Sequence, residues 1–230
     1  AATVLTAVAS AVLFPVLLIQ LTSVIDNSWA MAVETADAAG KELAQAILNR
    51  STGTRPITLV GFSFGARVIY SCLRELALLC GDLSDFDFSE DQFTTEDGRR
   101  KSSATVEESE ASGRAESTDD KSVKLTKLEI RSIIQDVVLL GAPVSSKSRA
   151  WSAIRSMVSG RVINGYSQKD LVLGLIYRYQ RFHYSVSGVC EIENVPGVEN
   201  VDLSGIIESH TDYGKKMKQI LQFIDLTKSV

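Results

Sequence analysis

The chain has 230 residues, 24 basic against 28 acidic, a net charge of −4 and an isoelectric point near 5.3. That length suits one α/β domain with a substantial core and is short for two. With no basic excess there is no stripe to neutralise phosphates, which argues against nucleic acid as a partner. Three cysteines, Cys72, Cys80 and Cys190, make no disulfide framework. They are expected to be buried free thiols of a reducing compartment, in a helix, just beyond it and in a strand respectively. Asn49-Arg50-Ser51 matches a glycosylation acceptor, but the cysteine usage does not support secretion.

Residues 1–25 carry no charge and include the apolar run AVLFPVLLIQL. They are long enough for a membrane helix, yet Pro15 would divide one and several Ser, Thr and Gln residues interrupt it. A buried hairpin or kinked helix is expected, with a membrane-contacting segment as the alternative. The chain opens at Ala1-Ala2 without a basic leader region or initiator Met and is expected to be a fragment.

Asp26-Asn27-Ser28 can cap a helix in which Trp29, Ala32, Val33, Ala36, Ala39, Leu43 and Ile47 recur at helical spacing up to Asn49. After Gly53 and Pro56, the run Ile57 to Val60 reads as a strand buried on both faces. Gly61-Phe62-Ser63-Phe64-Gly65 must then turn sharply, because Ala66 to Leu79 is again helical. Strand, G-x-S-x-G and helix in that order is the setting of a nucleophile elbow, which lifts a serine hydroxyl clear of the sheet. Gly61 and Gly65 are expected to give room for close packing of strand against helix. The backbone N–H of Phe64 is the candidate oxyanion donor.

From Gly81 to Lys124 the chain turns polar and acidic and cannot bury a core. Residues 82–124 are therefore expected to form a disordered insertion, with Phe86, Phe88 and Phe93 as a weak docking signal for a protein partner. Order returns with the strand Ile133 to Leu140, ending in Gly141-Ala142-Pro143. A helix from Ser145 to Ser159, a strand from Arg161 to Ser167, a helix from Leu171 to Tyr179 and a strand from Ser185 to Ile192 follow. That strand leads into residues 195–202 and then a loop holding His210, and Tyr213 to Ile224 reads as the last helix. Alternation of this kind implies a mostly parallel sheet with right-handed crossovers.

Asp170 follows the penultimate expected strand and His210 the final one, which with Ser63 is the Ser, Asp, His order of α/β-hydrolases. Sites at strand carboxyl ends share one crevice, so residues this far apart in sequence can converge. Ser63 would attack a carbonyl, His210 would take and return the proton, and Asp170 would orient the imidazole. Asp170 precedes Leu171 and can instead be a helix cap, in which case Asp202 is the substitute acid. His183, in the aromatic and basic run Tyr179 to Tyr184, suits packing or surface better. This chemistry calls for no cofactor and no metal.

These segments resemble the family of transmembrane and coiled-coil domain-containing protein 4, classed as domain of unknown function 726, to which an α/β-hydrolase core is attributed. The resemblance runs through Ile25-Asp26-Asn27 with Trp29, Arg55 to Ser63 with Gly65-Ala66-Arg67, and Leu140 to Pro143. It continues through Asn164-Gly165-Tyr166 with Asp170, Val195-Pro196-Gly197 to Asp202, and His210 with Tyr213. The acidic insertion is longer than the family's usual link, and the upstream part that would supply the first strands is absent. The resemblance implies membrane association and a cytoplasmic domain. Two functions are expected from the sequence: a serine hydrolase of a lipid ester or thioester, or a catalytically silent hydrolase-fold scaffold in membrane trafficking that recruits partners through the insertion.

Overall fold

The computed structural model of the protein describes residues 28–50, 53, 55–82, 125–180 and 186–227, with side chains up to 175 in the third long stretch. Among the described residues four parallel strands form the centre, in the spatial order β1 (Ile57–Phe62), β2 (Ile134–Leu140), β3 (Val162–Tyr166), β4 (Val198–Asp202). Spatial order equals chain order, so each crossover steps to the next strand. The protein is of the α/β class.

Side chains alternate across the sheet with a period of two. Val137 and Leu139 of β2 and Val162 of β3 enter one core, while Val138 and Leu140 of β2 and Ile163 of β3 enter a second on the opposite face. The first core is covered by α1 (residues 28–48), α2 (Phe64–Leu79), α3 (Lys127–Ile133) and α4 (Ser148–Ser156). The second is covered by α6 (Asp212–Lys215) and α7 (Met217–Ile224). Between β3 and β4, α5 (Leu171–Gln180) packs Leu173 against Val186 in a smaller cluster at the carboxyl ends of the strands.

Burial on both faces holds for β2 and β3 but not for β1. Val60 and Phe62 of this edge strand are 39% and 41% exposed, with Phe62 meeting α6 at its ring tip, near Gly214. A larger difference lies after α5. Residues 186–192 make a turn with one antiparallel bridge, Ser145 to Val186, and the last strand is Val198–Asp202 instead. Gly188 explains the turn, since it lies so close to the backbone of Gly141 and Ala142 that an added Cβ would sit 2.6 and 2.7 Å from them. Glu199 and Asn200 make β4 look unlike a strand, yet each has a partner. Arg161 donates to both Glu199 oxygens at 2.9 and 2.7 Å, and the Asn200 amide exchanges two 2.9 Å hydrogen bonds with the backbone of Ile192.

The expected C-terminal helix is interrupted at Lys216, giving α6 and α7. Helix α3 was not expected, although Thr126 and Glu129 cap it reciprocally. Cys72 and Cys80 are buried and Cys190 is half-buried outside any strand; all three are free thiols. Burial, with Glu75 adding to it, pushes the Cys72 thiol up to about 12, which keeps it unreactive. The apolar segment 1–25, the acidic insertion beyond Asp82 and His183 lie outside the described residues.

Candidate active site at the carboxyl ends of the strands

Ser63 is the single residue between β1 and α2. Its N–H donates to Leu140 O at 2.9 Å, extending the ladder to β2, while its carbonyl already accepts the N–H of Arg67 at 3.1 Å, opening the helix. A reversal within one residue requires an unusual backbone, and Ser63 has φ 52° and ψ −128°. For a residue with a side chain this region costs roughly 1–3 kcal/mol. Gly61 makes the turn fit: a Cβ there would lie 2.7 Å from the carbonyl group of Gly65. Gly65 itself has open space where its Cβ would be, so the close packing expected of both glycines depends on Gly61 alone.

The three side chains singled out in the sequence meet in one chain of hydrogen bonds. His210 Nε2 is 2.7 Å from Ser63 Oγ, and His210 Nδ1 is 2.6 Å from Asp170 Oδ2. Asp170 is 1% exposed and uses both oxygens, because Oδ1 accepts the N–H of Leu173 at 3.0 Å. It therefore caps α5 and also holds His210; the two roles weighed as alternatives coexist. Asp202 is exposed at the end of β4 and its carboxylate accepts the N–H of Ser204 at 2.8 Å. His210 Nδ1 meets Asp170, whereas the hydrogen bond of Asp202 goes to Ser204.

His210 is held from behind by Tyr213, whose ring meets it edge-on at 5.8 Å. Tyr213 is fully buried on Gly141, which has φ 52° and no room for a Cβ, as Tyr213 Cε2 would lie 2.7 Å from one. Burial, reinforced by the nearby Asp170, pushes the Tyr213 hydroxyl well above its ordinary value, so it stays neutral. Phe64 is the first residue of α2, where a backbone N–H has no partner within the helix and the helix dipole is positive. A hydroxyl bonded to an imidazole whose far nitrogen meets a buried carboxylate can lose its proton as it attacks. Among the described residues, no group of three or more His, Cys, Asp or Glu converges to hold a metal.

Arg67, one turn beyond Ser63, was not singled out for a role. Its guanidinium is buried and forks onto Asp37 of α1 at 3.0 and 2.7 Å, while its third nitrogen donates to Pro143 O at 2.8 Å. Ser71 also donates to Asp37. This clamp ties α1, the start of α2 and the segment after β2 together. The signal in the sequence is an arginine on the apolar face of α2 and an aspartate on an otherwise apolar face of α1. Replacing Arg67 by Met leaves Asp37 without its ion partner and is expected to cost about 3 kcal/mol in urea unfolding. The double variant Arg67→Met/Asp37→Leu should regain most of that loss; a double variant as unstable as the sum of the two singles contradicts the clamp.

The family described as "Protein of unknown function (DUF726)" matches residues 1–79 and 122–227, leaving out most of the acidic insertion. The chain belongs to this family. Among DUF726 relatives, the Oryza sativa transmembrane and coiled-coil domain-containing protein STS1 is 35% identical over 97% of the chain and 26% of its own length. An uncharacterized membrane protein of Caenorhabditis elegans is 35% identical over 96% of the chain and 28% of its own length. The Saccharomyces cerevisiae protein named probable lipase MIL1 is 34% identical over 98% of the chain and 16% of its own length. The chain thus spans between 16% and 28% of the length of these relatives. No solved structure matches it significantly. Among the described residues no helix is long and apolar enough to cross a membrane.

Proposed function

We propose that the protein is a membrane-associated serine hydrolase with an α/β-hydrolase-like core, acting on an ester or thioester of a lipid at the cytoplasmic face. The observation that carries this reading is the unbroken run Ser63 Oγ, His210, Asp170, with the serine held at a strained positive φ at the head of a helix. Ser63 Oγ attacks the carbonyl carbon as His210 Nε2 takes its proton, and the Phe64 N–H stabilises the oxyanion. Collapse expels the alcohol or thiol, which leaves with the proton from Nε2. A water molecule, deprotonated by the same nitrogen, then hydrolyses the acyl-enzyme and frees Ser63.

The lipid part of the proposal is supported by the surface next to the site. Directly after Asp170, α5 turns Leu171 and Leu175 outward, 77% and 71% exposed, with Val172 half-exposed beside them. Apolar surface of this kind belongs against a ligand, a partner or a membrane. The names of the yeast, rice and nematode relatives, a probable lipase and membrane proteins, point the same way. The test is hydrolysis of 4-nitrophenyl esters and of vesicle-borne glycerolipid by the full-length protein. Turnover that depends on Ser63 supports the proposal, and turnover that survives Ser63→Ala contradicts it.

A further inference from the structure

Ser63 stands between two phenylalanines that diverge. Phe62 reaches toward α6, where its ring tip lies 3.8 Å from the position a Cβ on Gly214 would take. Phe64 goes the other way, onto Trp29 at the start of α1, with ring centroids 4.7 Å apart and planes tilted by 58°. Trp29 and Val189, both only partly buried, pack against the buried pair Leu173 and Val186.

This apolar cluster is fastened to the site at two points. Phe64 is joined to Ser63 by a peptide bond, and the Leu173 N–H is the one that Asp170 Oδ1 accepts. Gly188 holds the 186–189 turn down on it, since a Cβ there would lie 2.5 Å from Leu173 Cδ2. A hollow of about 580 Å³ among the described residues near the strand ends is lined mostly by polar residues, Ser145, Lys147, Gln168 and Glu191 among them, and suits a methylene chain less well.

We propose that the partly exposed Trp29, Phe64 and Val189, backed by the buried Leu173 and Val186, form the wall along which the acyl chain of the substrate lies, and that Trp29 sets the preference for long chains. This rests on Ser63 being the nucleophile. The carbonyl carbon bound to Ser63 Oγ brings the first methylenes beside Phe64, and Trp29 is the next apolar surface they meet. Aromatic side chains bury large area with few rotatable bonds, which suits a wall that must stay in place while unoccupied.

The experiment compares kcat/KM for 4-nitrophenyl butanoate and dodecanoate in the full-length protein, in Trp29→Ala and in Trp29→Phe, with melting temperature as the folding control. Trp29→Ala is expected to lose about ten-fold on the dodecanoyl ester, equivalent to roughly two methylene groups of lost contact, while the butanoyl ester changes less than about two-fold. Trp29→Phe should fall between, and it keeps the test informative if the alanine variant fails to fold. Equal proportional losses on both esters, or no loss on either, overturn the proposal and leave Trp29 a packing residue. Absence of Ser63-dependent hydrolysis of both esters in the unmodified protein overturns the hydrolase reading, and the acyl wall falls with it.

Discussion

Asp170→Asn is expected to lower turnover by a factor on the order of 10⁴ while leaving the melting temperature nearly unchanged. The geometry explains why the two effects separate. Asp170 Oδ1 accepts the Leu173 N–H and Oδ2 faces His210 Nδ1. An asparagine must keep its oxygen on Leu173 to cap α5, where Asn serves about as well as Asp. Its NH₂ then points at His210 Nδ1, which can only accept. The imidazole proton is forced to Nε2, the nitrogen that must receive the proton of Ser63. Asp202→Asn is the control, and it should leave turnover within about two-fold, since Asp202 only shapes the turn to Ser204. Loss of turnover in Asp202→Asn with normal Asp170→Asn contradicts the assignment of the acid.

Replacement of Ser63 is expected to have the largest effect on turnover, a loss on the order of 10⁶ for either Ala or Gly. The two variants should differ in stability. Ser63→Ala keeps a β-carbon at φ 52° and so keeps the strain. Ser63→Gly removes a strain of roughly 1–3 kcal/mol. The greater freedom of glycine in the unfolded chain takes back roughly 0.5–1 kcal/mol. A net gain of about 1 kcal/mol should raise the melting temperature by about 2–4 °C for a chain of this size. Thermal unfolding of the pair measures this, and a glycine variant less stable than the alanine variant means the elbow is not strained.

The features of the sequence that carried most weight were those where backbone and side-chain demands agree. Val137 to Leu140 and Val162 to Ile163 are buried on both faces, so their apolar runs were legible as strands. The sharp turn at Ser63 was legible because strand, glycine-flanked serine and helix follow without a gap. β4 was not, because an edge strand tolerates Glu199 and Asn200 once each finds a partner, and those partners, Arg161 and Ile192, are set by the tertiary fold. The run 186–192 has strand-like residues, yet the approach of Gly188 to Gly141 bends it into a turn. Thr126-Lys127-Leu128-Glu129 carries a capping-box signature that marks the start of α3. For Asp170, cap and acid competed as sequence explanations, although a carboxylate has two oxygens, and here one meets the Leu173 N–H and the other His210 Nδ1. Arg67 bonds to Asp37, 30 positions away, and only its place on the apolar face of α2 hinted at a role.

The central claim is that Ser63 is a nucleophile activated by His210. The most direct measurement is labelling of the folded full-length protein with a fluorophosphonate, followed by mass spectrometry of the peptide containing Gly61 to Arg67. The expected result is one phosphonyl adduct on Ser63, absent in Ser63→Ala and strongly slowed in His210→Gln. No adduct on Ser63 in folded protein, or labelling unchanged by Ser63→Ala, would contradict the account.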